Sequence, residues 1–117
     1  MTKILLVCGK VGQFKNVKAE GHASFSTKGF DIVCAAESFL LRTAFQVLVK
    51  TEGLVVVADS SSRGKFSFQV EDINCKSESY GCVEQRLRFT ADFIREGLSS
   101  LQTEYPENIQ FEELSEQ

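Results

Sequence analysis

Two residues in this chain have the types and spacing for nucleophilic chemistry: His22, the only histidine, and Cys34, with eleven residues between them. A thiol attacks strongly only as its thiolate, and an unperturbed cysteine, titrating at about 8.5, is mostly neutral at pH 7. A helix N-terminus and a nearby imidazolium both favour the anion. Gly21-His22-Ala23 closes a predicted strand, and Gly29-Phe30-Asp31-Ile32-Val33-Cys34-Ala35-Ala36-Glu37-Ser38 turns a polar loop into a predicted helix. Asp31 sits where an N-cap belongs, which places Cys34 in the first turn; the helix dipole there favours a thiolate and the Asp31 charge opposes it. In that arrangement Cys34 attacks a carbonyl carbon and His22 protonates the departing amine. Backbone N–H groups at the helix start, that of Cys34 included, serve the oxyanion.

These residues need elements to hold them. Lys3 to Cys8 reads as a buried strand, Gly9 and Gly12 mark a turn, and Phe14 to Glu20 pairs back as a hairpin that delivers Gly21 and His22. Residues 23 to 30 have no period and read as a surface loop, with Gly29 as its hinge or turn. From Ile32 to about Lys50, the residues Val33, Ala36, Leu40, Ala44, Val47 and Leu48 recur at helical spacing, and Leu41, Phe45 and Val49 add a second stripe. A helix apolar round more than half its girth is either central to its fold or shared with another subunit.

Leu54 to Ala58 is a β-branched run, the pattern of a strand covered on both faces or central in its sheet. After the polar turn 59–64, Phe66, Phe68 and Val70 alternate with polar residues, so the two segments form a second hairpin. A polar stretch, Glu71 to Ser79, leads to a helix that starts between Tyr80 and Val83 and runs to about Thr103, with Val83, Leu87, Thr90, Ala91, Ile94, Leu98 and Leu101 on one stripe. Pro106 stops it, and Ile109 to Phe111 adds a short strand before an acidic tail. The order ββαββαβ predicts an α+β two-layer sandwich, one mixed sheet with two helices packed on it, in a single domain over 1–117.

Composition narrows the function classes. At 117 residues, 43% of them hydrophobic and 25% charged, the chain can bury one core. A net charge of −3 provides no basic surface for direct nucleic-acid binding. The apolar run Ile4 to Cys8 is too short for a signal-peptide core or a membrane span, so the expectation is a cytoplasmic protein without membrane partners. Four cysteines form no Cys-x-x-Cys pair, Cys75 and Cys82 lie seven apart, and one histidine completes no ligand set, so neither a metal nor a cofactor is expected. Taken singly, Cys34 fits a small buried apolar residue and Asp31 a plain N-cap. Together with the glycines and the Ala35-Ala36 pair they fit a site.

The same residues carry a family resemblance. Gly21-His22-Ala23, Gly29, Asp31-Ile32-Val33-Cys34-Ala35-Ala36 and Ser38 resemble the signature of the ribosomal-processing cysteine protease (Prp) family, and Glu104-Tyr105-Pro106-Glu107-Asn108-Ile109 is similar to its C-terminal pattern. The resemblance implies a bacterial cytoplasmic endopeptidase, homodimeric, that removes an N-terminal extension from large-subunit ribosomal protein twenty-seven without a cofactor. It places the nucleophile at Cys34, the base at His22, a conserved aspartate at Asp31, and a loop that opens for substrate at 23–30. Glu37 departs from the family pattern, which has an apolar residue there. A carboxylate one turn beyond Cys34 opposes a neighbouring thiolate. Two other readings keep the same residues: a non-catalytic module that binds extended peptide, and a redox sensor that pairs Cys34 with Cys8, Cys75 or Cys82.

Overall fold

The structure is a computed structural model that describes residues 1–21, 28–62 and 64–116. Its elements follow the predicted order. Strands β1 (Thr2–Cys8) and β2 (Phe14–Glu20) precede helix α1 (Lys28–Val49), strands β3 (Leu54–Asp59) and β4 (Lys65–Ile73) precede helix α2 (Tyr80–Glu104), and β5 (Ile109–Ser115) ends the chain. A short 3-10 turn, Ser77–Ser79, leads into α2. The strands form one mixed sheet in the order β3-β4-β2-β1-β5, in which only the β1 to β5 pairing is parallel.

The first hairpin closes through a backbone hydrogen bond from the Gly9 N–H to the Gln13 carbonyl at 2.8 Å, with Gly12 at φ +84°. That left-handed conformation is one glycine adopts without penalty. Alternation along β1 sends Ile4, Leu6 and Cys8 inward, to meet Phe14, Val17 and Ala19 of β2. Val33, Leu41, Ala44 and Leu48 of α1 and Val83, Leu87, Ala91, Ile94 and Leu98 of α2 complete the same core. Phe14 stacks on Phe68 with ring centroids 5.1 Å apart. The two helices approach closely at Gly97, where a Cβ would stand 2.7 Å from Leu40 Cδ2.

Four expectations need correction. The Leu54 to Ala58 segment is a strand, but β3 forms an edge of the sheet, and Val55 and Val57 are 44% and 40% exposed. Its β-branched residues report the strand conformation, which edge and central positions share. Strand β4 continues through Glu71 to Ile73, because Leu54 and Val55 pair with Ile73 and Asp72 beyond a bulge. The acidic residues after Phe111 belong to β5, which stays paired with β1 as far as Cys8↔Ser115. Glu113 is held in that strand by a two-oxygen hydrogen-bonded ion pair with Arg95 of α2.

The fourth correction bears on the site. Helix α1 begins at Lys28, so Gly29, Phe30 and Asp31 are helical, Asp31 is the fourth helical residue and no N-cap, and Cys34 is the seventh. The helical spacing in the sequence begins at Ile32, but the chain winds one turn earlier. Residues 22 to 27, the rest of the predicted loop, lie outside the described residues.

The turn between β3 and β4 anchors the end of β2. Gly64, at φ +78°, accepts the Gly21 N–H on its carbonyl at 2.8 Å, and a Cβ on Gly64 would collide with the Gly21 carbonyl oxygen. Gly64→Ala therefore meets both a strained backbone and a rigid obstacle. It is expected to cost about 2 kcal/mol or more in urea denaturation. A loss within experimental error would show that this turn relaxes freely.

Candidate active site

Cys34 projects from α1 toward the start of β1, half-buried, with its Sγ 3.8 Å from the Thr2 hydroxyl. Thr2 is 1% exposed, and among the described residues Cys34 is the hydrogen-bond partner of its hydroxyl. The backbone of Thr2 is fixed from the other side, because its N–H donates to the Asn108 carbonyl at 3.0 Å and the residue pairs with Ile109. Gly21 packs on the same hydroxyl; a Cβ there would stand 2.9 Å from Thr2 Oγ1. The end of β2 and the helix that carries Cys34 thus converge on one buried threonine.

Of the residues singled out in the sequence, the structure brings Gly21 and Cys34 together through Thr2. His22 and Ala23 lie outside the described residues. Gly29 and Asp31 fall in the first turn of α1, Ala35 is exposed and Ala36 half-buried. Ser38 turns to its neighbour and donates a hydrogen bond to Glu37 Oε1 at 3.3 Å. Thr2 escaped notice in the sequence because nothing local distinguishes it: a threonine at the head of a strand is ordinary, and its contact spans 32 residues.

The helix start changes what the backbone can offer. Only the first four N–H groups of an α-helix lack an intrahelical acceptor. Cys34, seventh in α1, has its N–H engaged by the residue four positions back, so it is no free oxyanion donor. The dipole is also weaker at the second turn than at the first. Side chains around Sγ consequently carry more of the site's electrostatics.

Glu37 lies one turn beyond Cys34 on α1, on the stripe that faces the core, and it is 8% exposed. Burial pushes its carboxyl up to about 7, against the opposing pulls of the Ser38 hydroxyl and the Arg42 charge. The carboxylate charge anticipated beside Cys34 is therefore only partly present at neutral pH.

The other thiols sit in different surroundings. Cys8 is buried at the far end of β1, where desolvation first and the Glu113 charge second push its thiol up to about 11. Cys75 and Cys82 line a concavity of about 860 Å³ with Lys50, Thr51, Gly53 and Arg86. That concavity lies past the last residue of α1, Val49, about 22 Å along the helix from Cys34. No cluster of metal-ligating side chains occurs among the described residues.

Glu37 predicts a pH dependence with a definite sign. Between about 4.5 and about 7 the folded protein keeps a proton on Glu37 that the unfolded chain has lost. The folded state binds more protons in that window, so this contribution to stability is complete below it and falls as pH rises through it. The loss is on the order of 3 kcal/mol. Glu37→Gln is expected to gain on the unmodified protein in urea denaturation by about that amount on going from pH 4 to pH 8. An offset independent of pH would refute the assignment.

Residues 1–110 match the family described as cysteine protease Prp. Among curated proteins, none matches the sequence. Several solved structures share the fold. A protein of Streptococcus mutans superposes with a TM-score of 0.72 at 22% identity, over 99% of this chain and 96% of that one. An essential ribosomal processing protease Prp from S. aureus, in complex with a substrate peptide, superposes with a TM-score of 0.70 at 20% identity, over 97% of this chain and 99% of that one. The same protease with a covalently linked product peptide gives 0.69 at 20% identity over the same shares.

Proposed function

The chain belongs to the Prp cysteine protease family, and from that premise we propose that it is a cytoplasmic, homodimeric cysteine endopeptidase that removes the N-terminal extension of large-subunit ribosomal protein twenty-seven. The observation that carries the reading is the convergence of Gly21, which directly precedes His22, and Cys34 on the Thr2 hydroxyl. A general base and a thiol nucleophile must share one locus, and the strand end that precedes His22 in the sequence lies against the same threonine as Cys34.

In this reading the Cys34 sulfur forms a bond to the scissile carbonyl carbon. The C–N bond then breaks as His22, protonated, gives its proton to the departing amine. Water, deprotonated by His22, next attacks the thioester, releasing the carboxylate product and restoring the thiol. Neither a metal nor a cofactor enters. The substrate is a peptide, which the S. aureus relative with its bound substrate peptide also holds. An acidic enzyme of charge −3 meets a basic ribosomal protein with a weak favourable bias.

The homodimer has a candidate face. On the outer side of the helical layer Phe39, Val47, Phe89 and Phe93 are 74%, 48%, 68% and 44% exposed. Phe89 and Phe93 stack at 6.4 Å, and they line a shallow cavity of about 320 Å³ with Thr43, Val47 and Arg86. A contiguous apolar patch on a helical layer is the surface an isologous dimer buries.

The decisive experiment incubates the purified protein with its own organism's precursor of ribosomal protein twenty-seven and follows the precursor by mass. Cleavage near the precursor's N-terminus is expected from the unmodified protein, with a loss of at least about a thousandfold in both Cys34→Ser and His22→Ala. Binding of an extended precursor without cleavage would support the non-catalytic module. In sedimentation, the unmodified protein is expected as a dimer and Phe89→Glu/Phe93→Glu as a folded monomer; a monomer before substitution would overturn the dimer.

A further inference from the structure

We propose that Thr2 is a positioning residue for Cys34, its hydroxyl donating to the sulfur when the thiol ionises and holding it toward the end of β2. The inference rests on the reading of Cys34 as nucleophile, and it adds to that reading a residue outside the motif.

The geometry has three parts. First, the hydroxyl is sequestered: Thr2 is 1% exposed, and Cys34 Sγ lies 3.8 Å from Oγ1. In the neutral pair either group can donate, but a thiolate has no proton, so in the reactive state the threonine must be the donor. A contact of this kind is stronger in the ionised form than in the neutral one, and it therefore favours the form that attacks. Second, the hydroxyl cannot easily leave. The Thr2 backbone is held by Asn108 and by pairing with Ile109, and Gly21 closes the space beside Oγ1. Third, the usual source of stabilisation is reduced here, since Cys34 is the seventh residue of α1 with its own N–H spent inside the helix.

The same arrangement gives Gly21 a steric reason. A Cβ at this position would press on the threonine oxygen at 2.9 Å, forcing the hydroxyl or the strand end to shift. Thr2 thus fixes the distance between the segment that leads into His22 and the helix that carries Cys34. The thiol of Cys34 is placed by a donor fixed in the sheet, and the proton that the thiol loses on activation goes to His22, leaving the threonine hydroxyl intact throughout.

The test compares Thr2→Val, which keeps the shape and removes the hydroxyl, with Thr2→Ser, which keeps the hydroxyl. Alkylation of Cys34 by iodoacetamide is followed by peptide mass as a function of pH, alongside steady-state cleavage of the precursor. Thr2→Val is expected to move the half-maximal pH of Cys34 alkylation upward by about half a unit to one unit, and to lower kcat about three- to tenfold with KM nearly unchanged. Thr2→Ser is expected to restore both. A pH profile in Thr2→Val that overlays the unmodified one would overturn the proposal, as would a Thr2→Ser variant as impaired as Thr2→Val, which marks a packing role. The alkylation arm needs no protease activity, so the two readings fail separately. A shifted profile in a protein that cuts nothing keeps Thr2 and removes the protease, whereas cleavage with an unshifted profile does the reverse.

Discussion

The register of β1 is the constraint on which the rest depends. This strand is hydrogen-bonded along both edges, antiparallel to β2 with Lys3 opposite Glu20, and parallel to β5 with Thr2 opposite Ile109. Its inward residues Thr2, Ile4, Leu6 and Cys8 are all at most 2% exposed. Side chains alternate with a period of two, so a slip of one residue against either neighbour would send Lys3 into the core and Thr2 to solvent. The site follows from the same alternation. Thr2 meets Cys34 because it is the first inward residue of the strand, and Gly21 meets Thr2 because β2 ends beside it. A local contact at the candidate nucleophile is therefore fixed by two strand pairings, one of them closed only by the last segment of the chain.

The four cysteines sit in different surroundings. Cys8 and Cys34 are both near β1, at opposite ends. At the Cys8 end, burial and Glu113 push the thiol up, against the opposing pull of Arg95, which donates to Cys8 Sγ at 3.8 Å while it pairs with Glu113 and Asp92. The Arg95 and Glu113 pair thus ties β5 to α2 over the buried Cys8, which is a structural use of charge. At the Cys34 end the contacting group is a neutral hydroxyl, able to donate to an anion at no cost in burying another charge. Glu37 lies one turn along α1 from Cys34. Its burial keeps a proton on part of the population at neutral pH, so its negative charge grows in as pH rises through about 7. The pH that removes this proton loosens the fold and places a charge one turn along α1 from Cys34.

Much of this was legible in the sequence, for identifiable reasons. Each strand and helix was visible because its period differs from its neighbours', and the hairpins because Gly12 and Gly64 stand where left-handed turns fall. Sheet position was less so. Val55 and Val57 read as covered, yet they lie on an edge, because strand propensity does not say what lies above or beside a strand. The extent of β5 escaped for a related reason: Glu112 and Glu113 look like a solvated tail until Arg95 and the open edge of β1 are known to face them. At the site, spacing singled out Cys34 and Gly21, but the helix start was read three residues or more too late, with Asp31 as its cap. Thr2 had no local signature whatever. What sequence conceals here is tertiary: which groups meet across long separations.

Helix α1 shows how the broad apolar girth resolves. The sequence allowed two explanations, a central helix or one shared with another subunit. The helix splits its apolar residues between both sides: Val33, Leu41, Ala44 and Leu48 are at most 5% exposed, while Ile32, Phe39 and Val47 are 48% or more exposed. The segment Ile32–Val49 is long and apolar enough to cross a membrane by length and composition alone, but its inner stripe is committed to the sheet and α2. The outer stripe continues across the layer onto Phe89 and Phe93 of α2, which have no need to be aromatic for the core they do not enter. Exposed aromatic side chains gain free energy only when something removes them from water. The dimer proposed above would do so by setting one patch against its copy.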